Sequence, residues 1–301
     1  MDKNEYSKHL NELVELRHYF HQHPELSNHE INTTKKIKEL LTKWNIKILP
    51  TKLNTGLLAE ISGEHPGSVI ALRADIDALP VQEETELSFK SVNDGIMHAC
   101  GHDLHFTSLL GAILFFKDHQ NLIQGKIRFL FQPAEEAGGG ADQVVAKDVL
   151  HGVDAVLGFH NNPNLPVGTI ALQPGPMMAG CYRFEITIKG QGSHGAKPEN
   201  SRDPIITLAE VINSLQTVVS RNVNPQDAVV VSVTYVKAGK TWNVIPDESF
   251  LEGTVRLFDL KNADLVKKGC LISLKGLLKL MVRRLKLIGA KGLCQSLMII
   301  N

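Results

Sequence analysis

The sequence predicts an α/β fold in its first half and a smaller α+β domain after it. In the first half, short apolar runs alternate with segments of helical spacing. The runs are VIAL at 69–72, IRFLF at 127–131 and AVLGF at 155–159. Strand–helix alternation of this kind favours a mainly parallel sheet covered by helices. The second half predicts a β-α-β-β order, which is typical of one antiparallel sheet with a helix packed on it.

The individual elements follow from the spacing of apolar residues and from helix-breaking residues. Apolar residues recur at helical intervals at about 5–20, 29–44, 103–117, 141–150 and 203–220. Further strands are predicted around 184–188, 228–236 and 249–256. Pro24 ends the first helix. Asp203 as N-cap and Pro204 at the first helical position predict where the last helix begins.

Changes in composition divide the chain into three segments. A Pro- and Gly-rich joint at 173–180 separates a first domain at 1–174 from a second at 175–265. The tail at 266–301 holds eight basic residues and no acidic one. We interpret it as an aberrant end, for example one translated out of frame, or as a basic amphipathic helix. The helical stripe would comprise Lys275, Lys279, Arg283 and Lys286.

Overall charge and cysteine content exclude several classes of protein. Lys plus Arg and Asp plus Glu both total 32, so no basic excess indicates nucleic acid or an acidic membrane as partner. No apolar run approaches the roughly 18 residues of a membrane span. The N-terminus lacks the apolar core of a signal peptide, and the four cysteines show no pairing pattern. These features predict a cytoplasmic, reducing location.

Potential metal ligands follow each of the predicted parallel strands. They are Asp75 and Asp77 after VIAL, Glu135 and Glu136 after IRFLF, and His160 after AVLGF, while Cys100, His102 and His105 open a helix. Ligands bind at the carboxyl ends of strands in such sheets, so we expect these groups to converge. Imidazole, thiolate and carboxylate suit zinc-like ions and manganese. Either Cys100 or a carboxylate could bridge two metals, and one of two adjacent glutamates could act as general base.

Taken singly, each of these residues has an ordinary structural explanation. A lone cysteine is usually a small buried residue, a glutamate pair is usually solvated, and a lone histidine often belongs to a core. Their convergence on one sheet edge favours a site instead. The histidines of the N-terminal region are predicted to lie at the surface or behind the site: His9, His18, His21, His23 and His29. The GxGxxG pattern at 190–195 is no dinucleotide fingerprint, because Pro198 and polar turn residues follow it instead of a helix.

Four motifs in order, ALRADIDALP, MHACGHDLH, FQPAEE and GFHN, closely resemble the zinc-dependent aminoacylase/carboxypeptidase superfamily. The resemblance covers about residues 5–260. It is greatest to the amidohydrolase branch of hippurate hydrolases, auxin-conjugate hydrolases and N-acetyl-diaminopimelate deacetylases. It implies a metallopeptidase-like catalytic domain with an inserted, ferredoxin-like lid and dimerisation domain. It also implies two divalent metal ions (zinc, manganese, cobalt or nickel) and a homodimer formed through the lid.

The resemblance also assigns roles to individual residues. Cys100 would bridge the two metals as thiolate, with His102, Glu136 and His160 as further ligands. Glu135 would be the general base, and Asp77 would orient a ligand. In the lid, His194 would contact the scissile carbonyl. Asn243 and Arg256 would bind the substrate, and Arg256 would pair with the carboxylate of the substrate.

The implied activity is metal-dependent hydrolysis of the amide bond of N-acyl amino acids. A dipeptidase or aminopeptidase acting on short peptides is an alternative, because the acyl pocket cannot be read from the sequence. The second alternative is a truncated, non-catalytic remnant that binds metal or dimerises. The resemblance fades after Arg256 and no histidine follows His194, so the family's last metal-binding histidine is expected to be missing and the first domain incomplete.

Overall fold

The computed structural model describes residues 8–137 and 139–270, together with the backbone of 284–290 and 297–300. The chain divides into two compact units, of which unit 1 ends at Thr169 and unit 2 begins at Ile170. The domain limits that the sequence suggests, at 174 and 265, remain predictions. Among the described residues, no helix combines the length and apolar composition that crossing a membrane would require.

Unit 1 contains one five-stranded sheet and the helices around it. Its elements are α1 (Leu10–Gln22), α2 (Ile31–Lys43), β1 (Lys47–Leu49), β2 (Leu57–Ser62), β3 (His65–Asp75), α3 (His102–Asp118), β4 (Gln124–Gln132), α4 (Gly140–Ala146) and β5 (Ala155–Gly158). The strand order is β1-β2-β4-β3-β5. The three strands predicted from apolar runs, β3, β4 and β5, are parallel. β1 and β2 are antiparallel additions, so the sheet is mixed.

The core of unit 1 forms where α1, α2 and α3 cover the sheet. Ile37, Phe106, Ile113 and Phe129 are fully buried there. Their burial explains why the helices show apolar residues at intervals of three and four, since one face of each helix lies against the sheet. The polar residues at the strand ends lie beyond this core, and the packed helices and strands fix their positions.

Unit 2 contains an antiparallel sheet with a helix on one face. Its elements are β6 (Gly180–Lys189), β7 (Ser193–His194), α5 (Pro204–Asn222), β8 (Val229–Ala238), β9 (Val244–Ile245), β10 (Glu248–Leu257), a helix α6 at 261–270, β11 (Arg284–Ala290) and β12 (Leu297–Ile300). The main sheet has the order β12-β11-β6-β10-β8. The β-α-β-β order predicted from the sequence is the order of β6, α5, β8 and β10.

Helix α5 begins where its sequence predicts. Asp203 lies in extended conformation, and its Oδ1 accepts a hydrogen bond from the Ile205 N–H at 2.8 Å. Pro204 is the first helical residue, a position at which its missing N–H leaves no bond unmade. Leu208 and Val211 of α5 are buried in one cluster with strand residues of the sheet.

Part of the tail extends the sheet of unit 2. Strand β11 pairs antiparallel with β6, and β12 pairs with β11. Lys286 lies in β11, so the basic helix considered for the tail does not extend to it. Lys275, Lys279 and Arg283 lie outside the described residues.

Candidate metal centre

The ends of three parallel strands bring the predicted ligands of unit 1 together. Asp75, the last residue of β3, lies opposite Gln132, the last residue of β4. Arg73 of β3 lies opposite Gly158, the last residue of β5. The strands therefore end at one edge of the sheet, and the segments that follow them start side by side. This is the convergence that the sequence predicts.

A left-handed glycine directs the ligands at the start of α3. Gly101 has φ +87°, and a Cβ atom there would lie 2.9 Å from the amide of Asn161. An L side chain would thus be strained and would also collide. The resulting turn places Cys100 just before the helix and His102 at its first position, where His102 is buried and Cys100 is half-buried.

Two overlapping groups of donor atoms lie close enough to share metal ions. Cys100, His102 and His160 form one group, and His102, Glu135 and Glu136 form the other. Within each group the ligand atoms lie within 4.8 Å of one another. The Sγ of Cys100 is 3.2 Å from Nε2 of His160, and Nε2 of His102 is 3.8 Å from Oε1 of Glu136. Because His102 belongs to both groups, they form one continuous centre.

Hydrogen bonds to the backbone orient both imidazoles. His102 donates from Nδ1 to the carbonyl oxygen of Asp77 at 2.9 Å. His160 donates from Nδ1 to the carbonyl oxygen of Asn161 at 2.8 Å. In each ring, Nε2 then carries the lone pair that a metal needs.

Buried donor atoms without hydrogen-bond partners also indicate that this site suits a divalent metal. His102 Nε2 and Glu136 Oε1 are buried and have no hydrogen-bond partner within the described part of the chain. Leaving such atoms unpaired is costly in a folded protein, whereas a cation between them would satisfy both. Thiolate, imidazole and carboxylate together are the donor types of zinc and related ions.

Asp77 links two of these ligands. Its Oδ2 accepts hydrogen bonds from the Ser27 hydroxyl at 2.6 Å and from the Glu136 N–H at 2.9 Å. Its Oδ1 lies 3.4 Å from Nδ1 of His102. Burial by itself raises the pKa of Asp77, but the bonds from His102, Ser27 and Glu136 outweigh it and hold the pKa below its usual value. Asp77 is therefore an anion that orients His102 and fixes the backbone of Glu136.

Glu135 lies beside the centre with a more basic carboxylate. Its side chain is exposed, unlike the partly buried Glu136 next to it. Loss of hydration around the carboxyl raises the pKa of Glu135, and the charge of Glu136 raises it further. A carboxylate with a raised pKa is a better proton acceptor than a free glutamate, which suits a general base.

His105 and Asp75, which the sequence analysis grouped with the potential metal ligands, form hydrogen bonds or ion pairs with other residues. His105 is buried, and its Nε2 lies 2.5 Å from Oδ1 and 3.0 Å from the backbone nitrogen of Asn161, so this nitrogen is already used. Burial lowers the pKa of His105 to about 4, which keeps the ring neutral. Asp75 is paired with Arg73, whose Nη2 lies 2.5 Å from Oδ1. Burial raises the pKa of Asp75 to about 6 despite that arginine.

Three residues support this centre from behind, and the sequence reasoning missed two of them, Ser27 and Glu30. Ser27 bonds to Asp77, Glu30 is fully buried and accepts from the Ala134 N–H, and His21 is buried against Asp103. His21 was predicted to lie at the surface or behind the site, and it lies behind the site. The signal was the run HPELSNHE, in which polar residues follow a helix without forming a polar face.

In unit 2, His194 and Asn243 lie side by side. His194 pairs with Val244 across the β7–β9 ribbon, and the Gly195 N–H donates to the Asn243 carbonyl at 2.8 Å. The Ala196 N–H donates to Nδ1 of His194 at 3.1 Å, so in the neutral ring Nε2 carries the proton and can act as a donor. The His194 side chain is exposed.

Arg256 lies at the other end of β10 and is exposed. It pairs with Cys181 near the start of β6, whereas the β7–β9 ribbon follows the end of β6 at Lys189. Eight residues of extended strand separate the two ends, which corresponds to about 26 Å. Within one copy of unit 2, Arg256 and His194 are therefore far apart. Contact between Arg256 and the substrate remains a prediction.

Comparisons with known proteins identify the family of the chain. The model of peptidase family M20/M25/M40 matches residues 71–251. The N-acetyl-L-cysteine deacetylase of Bacillus subtilis (strain 168) is 51% identical over 257 residues, which are 85% of this chain and 62% of the relative. The N-acyl-L-amino acid amidohydrolase of Geobacillus stearothermophilus is 45% identical over 249 residues, 82% of this chain and 67% of the relative.

A solved structure of the same family also matches the chain. The crystal structure of a dinuclear metal binding peptidase of the M20 family from Bacillus subtilis superposes with a TM-score of 0.79 at 42% identity. It covers 96% of this chain and 75% of that chain. The chain spans 62% to 65% of the length of the first curated relatives it matches. With the family motifs on one sheet edge and matches of this extent, the chain belongs to peptidase family M20/M25/M40.

Proposed function

We propose that this chain is a metal-dependent amidohydrolase that cleaves the amide bond of N-acyl amino acids. One observation carries the proposal: Glu135 lies beside four donor residues, Cys100, His102, Glu136 and His160, and the buried His102 Nε2 and Glu136 Oε1 have no hydrogen-bond partner among the described residues. The names of the Bacillus and Geobacillus relatives support acyl amino acids over peptides as substrates. Free dipeptides are the alternative substrates, which the assay below includes.

Two divalent metals would be held by Cys100, His102, Glu136 and His160. When bound, such metals lower the pKa of a water molecule and polarise the carbonyl of the substrate. The donor set accepts zinc, manganese, cobalt or nickel. Asp77 keeps His102 in the tautomer that leaves Nε2 available.

The remaining steps belong to the residues of the chain. Glu135 accepts a proton from the water that attacks the amide carbonyl and passes it to the leaving amine. His194 donates from Nε2 to the oxygen that becomes negative during the attack, and Asn243 beside it binds the substrate. Arg256 is proposed to pair with the substrate carboxylate, but because it lies far from His194 of the same copy, one of these two residues would have to come from a second copy of the chain.

The proposed activity is tested by the release of free amino acid from a panel of N-acyl amino acids and dipeptides, with manganese or zinc added. We expect turnover that a chelator abolishes. Glu135→Gln should lower kcat by about 10²- to 10⁴-fold, because it removes the general base. Its metal content should not change, since Glu135 is outside the set of proposed ligands.

Glu84→Gln is the matched control, because it removes an exposed acidic residue of the same unit and should leave kcat unchanged. Absence of turnover on every substrate, from folded chain with two metals bound, would reject the proposed activity. Turnover of dipeptides alone would replace the acyl substrates by peptides.

We also propose that unit 2 pairs two copies of the chain. Among the described strands, β8 pairs only with β10, so its other edge presents unpaired backbone groups. Val230, Tyr235 and Val236 on this strand are exposed. Light scattering should give twice the mass of the chain, and a single-chain mass at micromolar concentration would refute the dimer.

A reducing, cytoplasmic location is part of the proposal, because Cys100 must remain a thiol to act as ligand. Alkylation of the protein after denaturation of fresh cell extracts with a chelator should modify Cys100 without prior reduction. An oxidised Cys100 in those extracts would contradict this location.

A further inference from the structure

Residues 21–30, which comprise the last two residues of α1 and the connection to α2 and are here called the connecting segment, contact both loops that carry the proposed metal ligands. We call residues 98–105 the thiolate loop and residues 133–137 the glutamate loop. His21, Ser27 and Glu30 of the connecting segment each form side-chain hydrogen bonds to one of these loops or to Asp77. The contacts join residues that are far apart in the chain, so they are features of the fold and not of local sequence.

Glu30 supports the bend in the glutamate loop. Its side chain is fully buried, with Oε1 accepting from the Ala134 N–H at 2.8 Å and Oε2 accepting from the Thr55 hydroxyl at 2.7 Å. Ala134 has φ +53°, a left-handed conformation that is uncommon for a residue with a side chain. That bend immediately precedes Glu135 and Glu136, so the bond from Ala134 helps to decide where both carboxylates lie.

Ser27 connects the same loop to Asp77. Its hydroxyl donates to Oδ2 of Asp77 at 2.6 Å and accepts from the Ala137 N–H at 3.1 Å. Asp77 in turn accepts from the Glu136 N–H and lies against His102. Ser27 therefore forms a hydrogen bond to Asp77, the residue that contacts both His102 and the backbone of Glu136.

His21 holds the thiolate loop. Its Nδ1 lies 2.8 Å from Oδ2 of Asp103, and its Nε2 lies 3.2 Å from Oε1 of Glu83. Both partners are carboxylates, so the ring donates on both sides. Arg17 also contacts Asp103, with Nε 2.8 Å from Oδ2. Since Asp103 directly follows His102, these contacts fix the first turn of α3.

We infer that residues 21–30 are a positioning segment, which sets the distance between the thiolate loop and the glutamate loop and so determines the affinity for metal. The inference rests on the proposed metal site. Ligands held in position by buried partners bind metal more tightly, because less ordering remains to be done when the ion arrives. His21, Ser27 and Glu30 would act only through the ligands, without touching metal or substrate.

The test is a titration of the metal-free full chain with Mn²⁺ alone, followed by electron paramagnetic resonance, which reports free, single and coupled ions. Glu30→Ala should weaken Mn²⁺ binding by about 10- to 100-fold, as is usual when a partner of a ligand is lost. Glu30→Gln should stay within about twofold of the unsubstituted chain, because its amide can accept from Ala134 and donate to Thr55. Ser27→Ala is a milder second variant with the same expected direction, should Glu30→Ala fold poorly.

Two controls separate positioning from general stability. His29→Asn changes an exposed residue of the same segment and should have no effect on binding. Ile37→Ala removes a fully buried side chain from α2, so it should lower the free energy of unfolding while leaving Mn²⁺ affinity unchanged.

The possible results lead to different conclusions. Normal Mn²⁺ affinity in Glu30→Ala and Ser27→Ala would overturn the positioning role but leave the proposed metal site intact. Equal weakening in Ile37→Ala would also overturn it, because the effect would then follow stability alone. If the unsubstituted chain bound neither Mn²⁺ nor, in a parallel titration, Zn²⁺, Co²⁺ or Ni²⁺, both this inference and the proposed function would fall.

Discussion

Cys100 has the most unusual environment of the proposed ligands. Burial raises the pKa of its thiol to about 12, and the carboxylates of Glu136, Glu135 and Asp75 add to the shift. Without a cation, a cysteine placed among carboxylates stays protonated and unreactive. A divalent ion reverses this situation, because it neutralises the carboxylates and stabilises the thiolate directly. A bound cation would therefore lower the pKa of the Cys100 thiol.

Replacing the sulfur should remove a spectroscopic signature of the centre. Cobalt bound by a thiolate shows a sulfur-to-metal charge-transfer absorption, which we expect in the cobalt-loaded chain and not in Cys100→Ser. Cobalt affinity should also fall at least about tenfold, since a hydroxyl is a poorer ligand than a thiolate. Cys181→Ser, a half-buried cysteine of β6, should retain the band. A band that persists in Cys100→Ser would show that another group provides the sulfur.

The proposed ligands could be predicted from the sequence because each follows directly on the strand or opens the helix that carries it. Cys100 and His102 are separated by one glycine, and Glu136 lies four residues beyond the end of β4. Glu30 could not be predicted in this way. Its partner Ala134 is 104 residues away in sequence. The two residues meet only in the folded chain, and the spacing of apolar residues in the sequence cannot predict such a contact.

At the scale of elements, the predictions were accurate where apolar spacing was regular. Strand β2 was missed because Glu60 interrupts its apolar run, although that glutamate is buried. Helix α4 was predicted to reach 150 but ends at Ala146. Asp148 has φ +56°, and the Val149 N–H returns to the Val144 carbonyl at 3.0 Å. Glycine is the usual residue in this type of helix-ending turn, so Asp148 did not indicate that α4 ends there.

Glu60 forms a row of ion pairs across three strands. It lies opposite Lys47 on β1 and Arg128 on β4, with its oxygens 3.2 Å from Lys47 Nζ and 3.2 Å from Arg128 Nε. Burial alone raises the pKa of Glu60, but the bonds from Lys47 and Arg128 outweigh it, so the pKa is lowered in the folded chain. A lowered pKa means that the folded state holds the charged form more strongly than the unfolded state does.

The contribution of Glu60 to stability should therefore depend on pH. It is fully present above the unfolded-state value of 4.5 and is lost as the pH falls through the lower folded value. Glu60→Gln should lower the free energy of unfolding by about 1–3 kcal/mol at pH 7. The difference should shrink below about pH 4.5 in urea melts. Glu64→Gln, at an exposed position, should change little, and a difference that stayed constant down to pH 3 would contradict the argument.

For the molecule as a whole, the residues that would hold metal all belong to unit 1. Cys100, His102, Glu136 and His160 precede Thr169, and His194 and Asn243 follow Ile170. The sequence places a domain limit at the Pro- and Gly-rich joint, where the strand pattern changes, and this limit remains a prediction. The sequence could not predict the strands at 284–290 and 297–300, since the leucine- and lysine-rich tail has a spacing that also suits a helix.

Metal binding should consequently stabilise unit 1 selectively. A ligand that binds only the folded state adds about 2.7 kcal/mol at a free concentration of 100 times Kd. With Mn²⁺ at that level, hydrogen exchange of core amides such as Ile113 and Phe129 should slow by about 100-fold, if they exchange through unfolding of unit 1. Amides of Ile186 and Val218 in unit 2 should not change. A chelator should reverse the effect, and His160→Ala should reduce it by removing one ligand. Equal slowing in both units would show that they unfold as one cooperative body, whereas no slowing in either would refute the metal centre.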